Sequence, residues 1–153
     1  MKKGFTLIEL MIVVVIIGIL LAILLPGTTK MIDKSREDAT KANLNSMKVA
    51  IATYYGDEEV WPADPPELTG NELRAMLVPS YIETIPYVIL RKGASTIDKR
   101  SKTIYTNQMA GPPSHVNITN DGGWWYHVGS HTLRVNSLAQ DTQGVNYSTY
   151  GLE

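Results

Sequence analysis

The chain contains no cysteine. No disulfide can staple it, and no thiolate is available as a nucleophile or soft metal ligand. It has no internal repeat, no low-complexity tract and no basic run of the kind that forms a nucleic-acid footprint. Enzyme signatures are missing too. Ser114-His115, His127 and His131 invite nucleophile or metal readings, but no nucleophile elbow, phosphate loop or His-Glu zinc spacing accompanies them. Catalysis is left without a constellation, and an enzyme is not expected.

What is present is a long apolar run. Phe5 to Leu25 is 21 residues interrupted only by Thr6, Glu9 and Gly18. At about 1.5 Å per residue a helix of that length covers about 30 Å, the hydrocarbon thickness of a bilayer. Lys2 and Lys3 precede the run, which predicts a cytoplasmic N-terminus and a body on the far side of the membrane. A removable secretory signal needs a shorter apolar core and a small-x-small cleavage site, and Leu24-Leu25-Pro26-Gly27-Thr28 offers none. Glu9 is the anomaly. A carboxylate within a membrane helix costs about 2.5–3.5 kcal/mol on insertion scales, so a partner is expected for it; the alternative is a side chain that snorkels to the cytoplasmic surface.

Lys3-Gly4-Phe5-Thr6-Leu7-Ile8-Glu9 resembles the processing motif of the type IV pilin and type II secretion pseudopilin superfamily. The resemblance implies that a membrane-embedded prepilin peptidase cuts between Gly4 and Phe5 and methylates the new Phe5 terminus. It also implies that Glu9 of one subunit meets the Phe5 amine of the next. Phe5 is the only phenylalanine in the chain. Electrostatics supports the pairing independently: cleavage creates an ammonium group at a helix N-terminus that already carries partial positive charge, and a carboxylate one turn along complements both. Supplied by a neighbour, the same pair would set axial register. Gly18 and Pro26 fall where the family places helix-weakening residues, and the segment between them is expected either to melt on assembly or simply to kink.

After Pro26 the composition turns to mixed charge. Leu44, Met47, Ile51 and Tyr54 then recur at spacings of three, four and three, an amphipathic stripe expected to end at Gly56 and Pro62. By the same resemblance Leu68–Leu77 is expected to be a short helix. Tyr87–Leu90 and Thr103–Thr106 read as strands on either side of a Lys99–Lys102 turn. Gly123–His127 and His131–Val135 read as a hairpin with Trp124, Tyr126, Leu133 and Val135 on its core face. The expected class is α+β: a long N-terminal helix packed on a small antiparallel sheet, with the sheet's other face exposed, in the lollipop form of pilins. Its organisation is expected as leader 1–4, transmembrane assembly helix 5–26, amphipathic helix 27–56 and β domain 57–153.

Many type IV pilins close a C-terminal loop with a disulfide that this chain cannot form, whereas major pseudopilins usually lack it and, by resemblance, many bind calcium. Asp121, Asn136 and Asp141 supply hard oxygen ligands, although Asp141-Thr142-Gln143-Gly144 also reads as a plain turn. Val60-Trp61-Pro62 and Tyr81–Pro86 resemble the pseudopilin region after the long helix, without its Asp-Pro-Trp-Gly run. Pilus and secretion pseudopilus both stay open. The expected partners are further copies of the chain, prepilin peptidase, the inner-membrane assembly platform, and lipid before assembly. The expected location is the bacterial inner membrane, then a periplasmic or surface filament. Loss of Lys2 and Lys3 takes the formal charge from −1 to −3. Arg91-Lys92 and Lys99-Arg100 with Lys102 read as a solvated face, so nucleic acid is not an expected partner. The reading from a different class is a tethered module for adhesion or DNA uptake that does not polymerise.

Overall fold

A computed structural model describes residues 4–62, 68–91, 100–107 and 118–152, with residues 24–26 described through their backbone alone. Lys2, Lys3, Lys92, Lys99, Pro112-Pro113 and Ser114-His115 lie outside the described residues. The chain divides into two units, Met1–Ile32 and Asp33–Glu153.

Helix α1, Leu7–Glu58, begins in the first unit and ends in the second. Its start is fixed by Thr6 and Glu9, which exchange hydrogen bonds. The Glu9 carboxylate accepts from the Thr6 amide at 2.8 Å, and the Thr6 hydroxyl accepts from the Glu9 amide at 3.3 Å. This reciprocal capping box satisfies donors that a helix start otherwise leaves open. The same Thr-x-x-Glu device recurs at Thr69 and Glu72, where it starts α2, Gly70–Leu77. In the first unit every large apolar side chain from Phe5 to Ile23 is 48–85 % exposed. Among the described residues no single helix is long and apolar enough to cross a membrane; Leu7–Ile23 and Gly27–Glu58 pass that test as a pair.

The second unit is built on the expected stripe. Leu44, Met47 and Ile51 are buried, and Tyr54 packs against the same core as Leu73, Leu77, Ile85, Val88 and Leu90. Helix α1 runs on past Gly56 to Glu58. Glycine costs a helix only about 1 kcal/mol, and the stop comes at Glu59, which turns left-handed at φ 59°.

Strand β1, Val88–Ile89, pairs antiparallel with β2, Arg100–Ser101, so residues expected in a turn are strand. The second sheet has the order β3-β4-β5, with β3 at Ile104–Asn107, β4 at Trp124–His127 and β5 at Thr132–Val135. The α+β class stands, with one difference of detail. The hairpin β4–β5 is antiparallel, but β3 runs parallel to β4. Residues 108–123 separate the two strands, long enough for the crossover that a parallel pair requires.

Trp124, Tyr126, Leu133 and Val135 face the core as the alternation predicts. The opposite face is not exposed: Trp125, His127 and Arg134 are buried as well, with the Arg134 guanidinium 5.8 Å from the Trp125 ring centre. Large aromatic surface on both sides of so short a strand favours cover on both.

The helix meets the first sheet through polar contacts. The buried Thr40 hydroxyl donates to the Ile89 carbonyl at 2.8 Å and accepts from the Ile89 amide at 2.9 Å, closing the open edge of β1. The Trp124 indole donates to the Pro86 carbonyl at 2.8 Å. Helix α2 lies so close to β3 that a methyl group on Gly70 would collide with the Ile104 carbonyl. Gly70→Ala is therefore expected to destabilise the protein by about 1–3 kcal/mol through overpacking, read as a lower denaturant midpoint of the detergent-solubilised chain. An unchanged midpoint would contradict this packing.

Candidate functional site

The N-terminal segment and the C-terminal loop carry the polar groups that bear on function. Gly4 precedes α1 in an open stretch where an added Cβ would meet nothing within 4 Å, and Phe5 is 85 % exposed. Beside them the Glu9 carboxylate accepts from the Thr6 hydroxyl at 2.7 Å as well as from its amide. The acid thus has a local partner on its own chain. The Thr-x-x-Glu spacing that carries this signal lies plainly in the sequence. Gly18 and Pro26 both fall within α1.

In the second unit, Glu37 is a buried acid that sequence reasoning missed. Its carboxylate accepts from the Thr142 amide at 2.8 Å and the Thr142 hydroxyl at 2.7 Å, and the Tyr147 hydroxyl approaches it at 3.4 Å. A signal was available, since Glu37 and Thr40 continue the Leu44, Met47, Ile51 stripe backwards at helical spacing, and both are buried with it. Asp141 closes the same loop. One of its oxygens accepts from the Gln143 and Val145 amides at 2.8 and 2.9 Å, and the other accepts from the Tyr150 hydroxyl at 2.6 Å. Glu37 and Asp141 form a latch that ties residues 141–150 together and to α1.

Electrostatics follows the burial. Burial opposes charge on Asp141, but the hydrogen bonds from Tyr150, Val145 and Gln143 and the nearby Lys41 outweigh it and hold its pKa below the usual carboxylate value. Burial pushes Tyr147 up to about 12, with the Arg91 amide opposing and Glu37 reinforcing the shift. Burial and the bond to Asp141 raise Tyr150 as well.

The three calcium candidates are divided between two places. The Asn136 side chain bonds the Thr119 hydroxyl at 2.8 Å and the Gly122 carbonyl at 3.2 Å, in the turn that also contains the half-buried Asp121. Asp141 lies in the latch. Among the described residues no three His, Cys, Asp or Glu side chains are grouped to hold a metal ion.

The two described histidines, His127 and His131, have structural partners. His127 Nδ1 lies 2.8 Å from the Ser130 hydroxyl and accepts from the Ser130 amide at 3.0 Å, which closes the 3-10 turn Val128–Ser130. His131 stacks on Trp61 at 4.8 Å, and Trp61 stacks on Tyr55 at 4.3 Å. Burial, with a smaller contribution from His127, lowers the His131 pKa.

A helix that starts on a capped carboxylate, exposes apolar side chains along its first turns, and continues into the core of a small α+β unit defines a pilin-like class of protein. Comparison with known proteins agrees. Residues 1–25 match the prokaryotic N-terminal methylation motif. The chain is 49 % identical over 63 residues to the fimbrial protein EcpC of Eikenella corrodens, covering 41 % of each. It is 44 % identical over 58 residues to the type IV major pilin protein PilA of Myxococcus xanthus, 38 % of this chain and 26 % of that protein. With a fimbrial protein of Neisseria meningitidis serogroup B it shares 30 % identity over 105 residues, 67 % of this chain and 62 % of that one. The chain thus spans less than two thirds of the length of these relatives. No solved structure matches. The motif and these relatives support a likeness to the type IV pilin superfamily.

The latch makes a pH-dependent prediction. A carboxyl group whose folded pKa is depressed adds stability that is fully present above its unfolded pKa, about 4, and lost as pH falls through the folded value. Asp141→Asn should therefore be less stable than wild type at pH 7 by about 1–3 kcal/mol. The gap should close as denaturation is repeated at pH 4 and below. A gap that stays constant down to acid pH would remove Asp141's charge from the account.

Proposed function

We propose that the chain is a structural subunit of a type IV pilus filament. Prepilin peptidase would remove residues 1–4 by cutting between Gly4 and Phe5, and Phe5 would then be N-methylated. Residues 5–26 would hold the precursor in the inner membrane, with the body outside the cytoplasm, and would later pack against other copies in the filament core. Residues 27–56 would join that core to the head, 57–153. The observation that carries this reading is the methylation motif over residues 1–25, set on a helix whose large apolar side chains are exposed from Leu7 to Ile23. Such a surface is stable only against lipid or other copies of itself. The fimbrial and major-pilin names of the relatives favour a pilus over a secretion pseudopilus.

In this reading Glu9 has two successive partners. Its own Thr6 satisfies it in the single chain, and the Phe5 ammonium of a neighbour neutralises it in the assembled core. Gly18 and Pro26 bound the segment that yields when helices are drawn from lipid into the filament, because both weaken helical hydrogen bonding. Lipid, the assembly platform and further copies of the chain are the partners this requires. The head would serve as a surface element without catalysis.

Glu9→Gln separates this from a tethered module that does not polymerise. Glutamine completes a capping box as glutamate does, so the start of α1 and the cleavage site should be preserved. A neighbour's ammonium would lose its buried counter-charge, at a cost of about 3–5 kcal/mol per subunit. The expected result is a correctly cleaved protein that accumulates in the inner membrane with few filaments by electron microscopy. Abundant regular filaments would overturn the charge-pairing mechanism.

A further inference from the structure

A groove follows one flank of α1, between the helix and the C-terminal turn. It consists of two hollows of about 180 and 260 Å³ that share Lys48 and Gly151. Leu44 lines the first and Ile51 and Leu133 the second, giving an apolar floor. Lys41 and Lys48 stand over it. Lys48 Nζ donates to the Gly151 carbonyl at 3.0 Å, and Lys41 Nζ lies 4.7 Å from the Tyr150 ring centre. Among the described residues neither lysine has a carboxylate within ion-pair distance.

The same helix carries the complementary surface. Between Asp38 and Asp57 it has no acidic residue, only these two lysines. It then ends on Asp57 and Glu58, followed by Glu59 and Val60, all four exposed. Carboxylates at a helix C-terminus stand against the partial negative charge of its last carbonyls, and no basic residue in the last turn offsets them. An acidic tip followed by an apolar residue matches a groove with a cationic rim and an apolar floor. The match cannot be made within one chain, because Lys48 and Asp57 are nine residues, about 14 Å, apart on one rigid helix.

We propose that the Asp57–Val60 tip of one copy docks in the Lys41–Lys48 groove of a neighbouring copy. The contact joins two different patches, so it is heterologous, and an unclosed heterologous contact propagates as a helical filament. The proposal rests on the filament reading above and names the head-to-head surface that reading requires.

The absence of native cysteine makes the test clean. Asn45 is exposed and lines the groove. In the double variant Asn45→Cys/Asp57→Cys the two sulfurs sit on one helix about 18 Å apart, well beyond the ~7 Å Cα separation a disulfide spans, so any disulfide joins two copies. Oxidation of purified filaments should give a ladder of covalent multimers on a non-reducing gel. Ser46→Cys/Asp57→Cys, whose first thiol is equally exposed but lies outside the groove lining, should give little. In parallel, Asp57→Lys/Glu59→Lys, which reverses two exposed charges of the tip and keeps the Glu58–Tyr81 hydrogen bond, should lower filament yield about tenfold or more by setting like charges together. No ladder from the Asn45 pair, an equal ladder from the Ser46 pair, or undiminished charge-reversed filaments would overturn the docking proposal while wild-type filaments persist. Absence of wild-type filaments would instead overturn the filament reading itself, and this contact with it.

Discussion

The large apolar side chains from Phe5 to Ile23 are exposed, and that bare surface is the constraint on which the proposed function depends. Each such side chain gains about 1.5–3 kcal/mol on leaving water, so the segment must be held in lipid or packed against equivalent segments. In the proposed assembly, transfer from lipid to neighbouring copies would leave little apolar surface exposed to water on the way. A single carboxylate in this segment would be a liability in either environment if it stood alone. Thr6 removes part of that liability by donating two hydrogen bonds to Glu9. What it leaves is net charge, which a hydroxyl and an amide cannot neutralise but an ammonium can. The proposed pairing with a neighbour's Phe5 amine follows from that remainder.

The head solves a different problem, that of fixing a C-terminal loop without a disulfide. Glu37 reaches from α1 into the loop, and Asp141 folds the loop on itself. Hydrogen bonds to carboxylates are among the stronger ones available, yet they are reversible and titratable where a covalent bond is not. A filament of the proposed kind, built from such heads, would inherit a sensitivity to acid that a disulfide-closed head lacks. The aromatic tier Tyr55, Trp61 and His131 works alongside the latch by joining the end of α1 to the hairpin tip.

Much of this was legible in the sequence, because periodicity and local motifs report what short-range physics decides. The Leu44, Met47 and Ile51 stripe, the Trp124 and Tyr126 core face and the glycine-containing link at 128–130 all follow from alternation and spacing. The parallel pairing of β3 with β4 was not legible, since strand direction depends on a long connection rather than on the strands themselves. The burial of Trp125, His127 and Arg134 escaped for a related reason: alternation assigns faces but does not say that both are covered. Glu37 reads in the sequence as part of a solvated, mixed-charge helix start and Thr40 carries no mark of its own, although their phase places both on the buried stripe. Glu9 was read for its distant partner, while the nearer one, Thr6, was overlooked. Asp141 was open to reading as a ligand or a turn residue, and its geometry shows every carboxylate oxygen bonded to the protein.

In the proposed filament the Glu9 carboxylate sets the stagger between copies. A cryo-electron microscopy reconstruction of the purified filament at side-chain resolution tests it most directly. The account predicts a mature chain beginning at Phe5, with the Glu9 carboxylate of each subunit within about 4 Å of the Phe5 amine of an adjacent one, the reach of an ion pair. A well-resolved core in which Glu9 contacts only its own Thr6, with every neighbouring amine out of range, would contradict it.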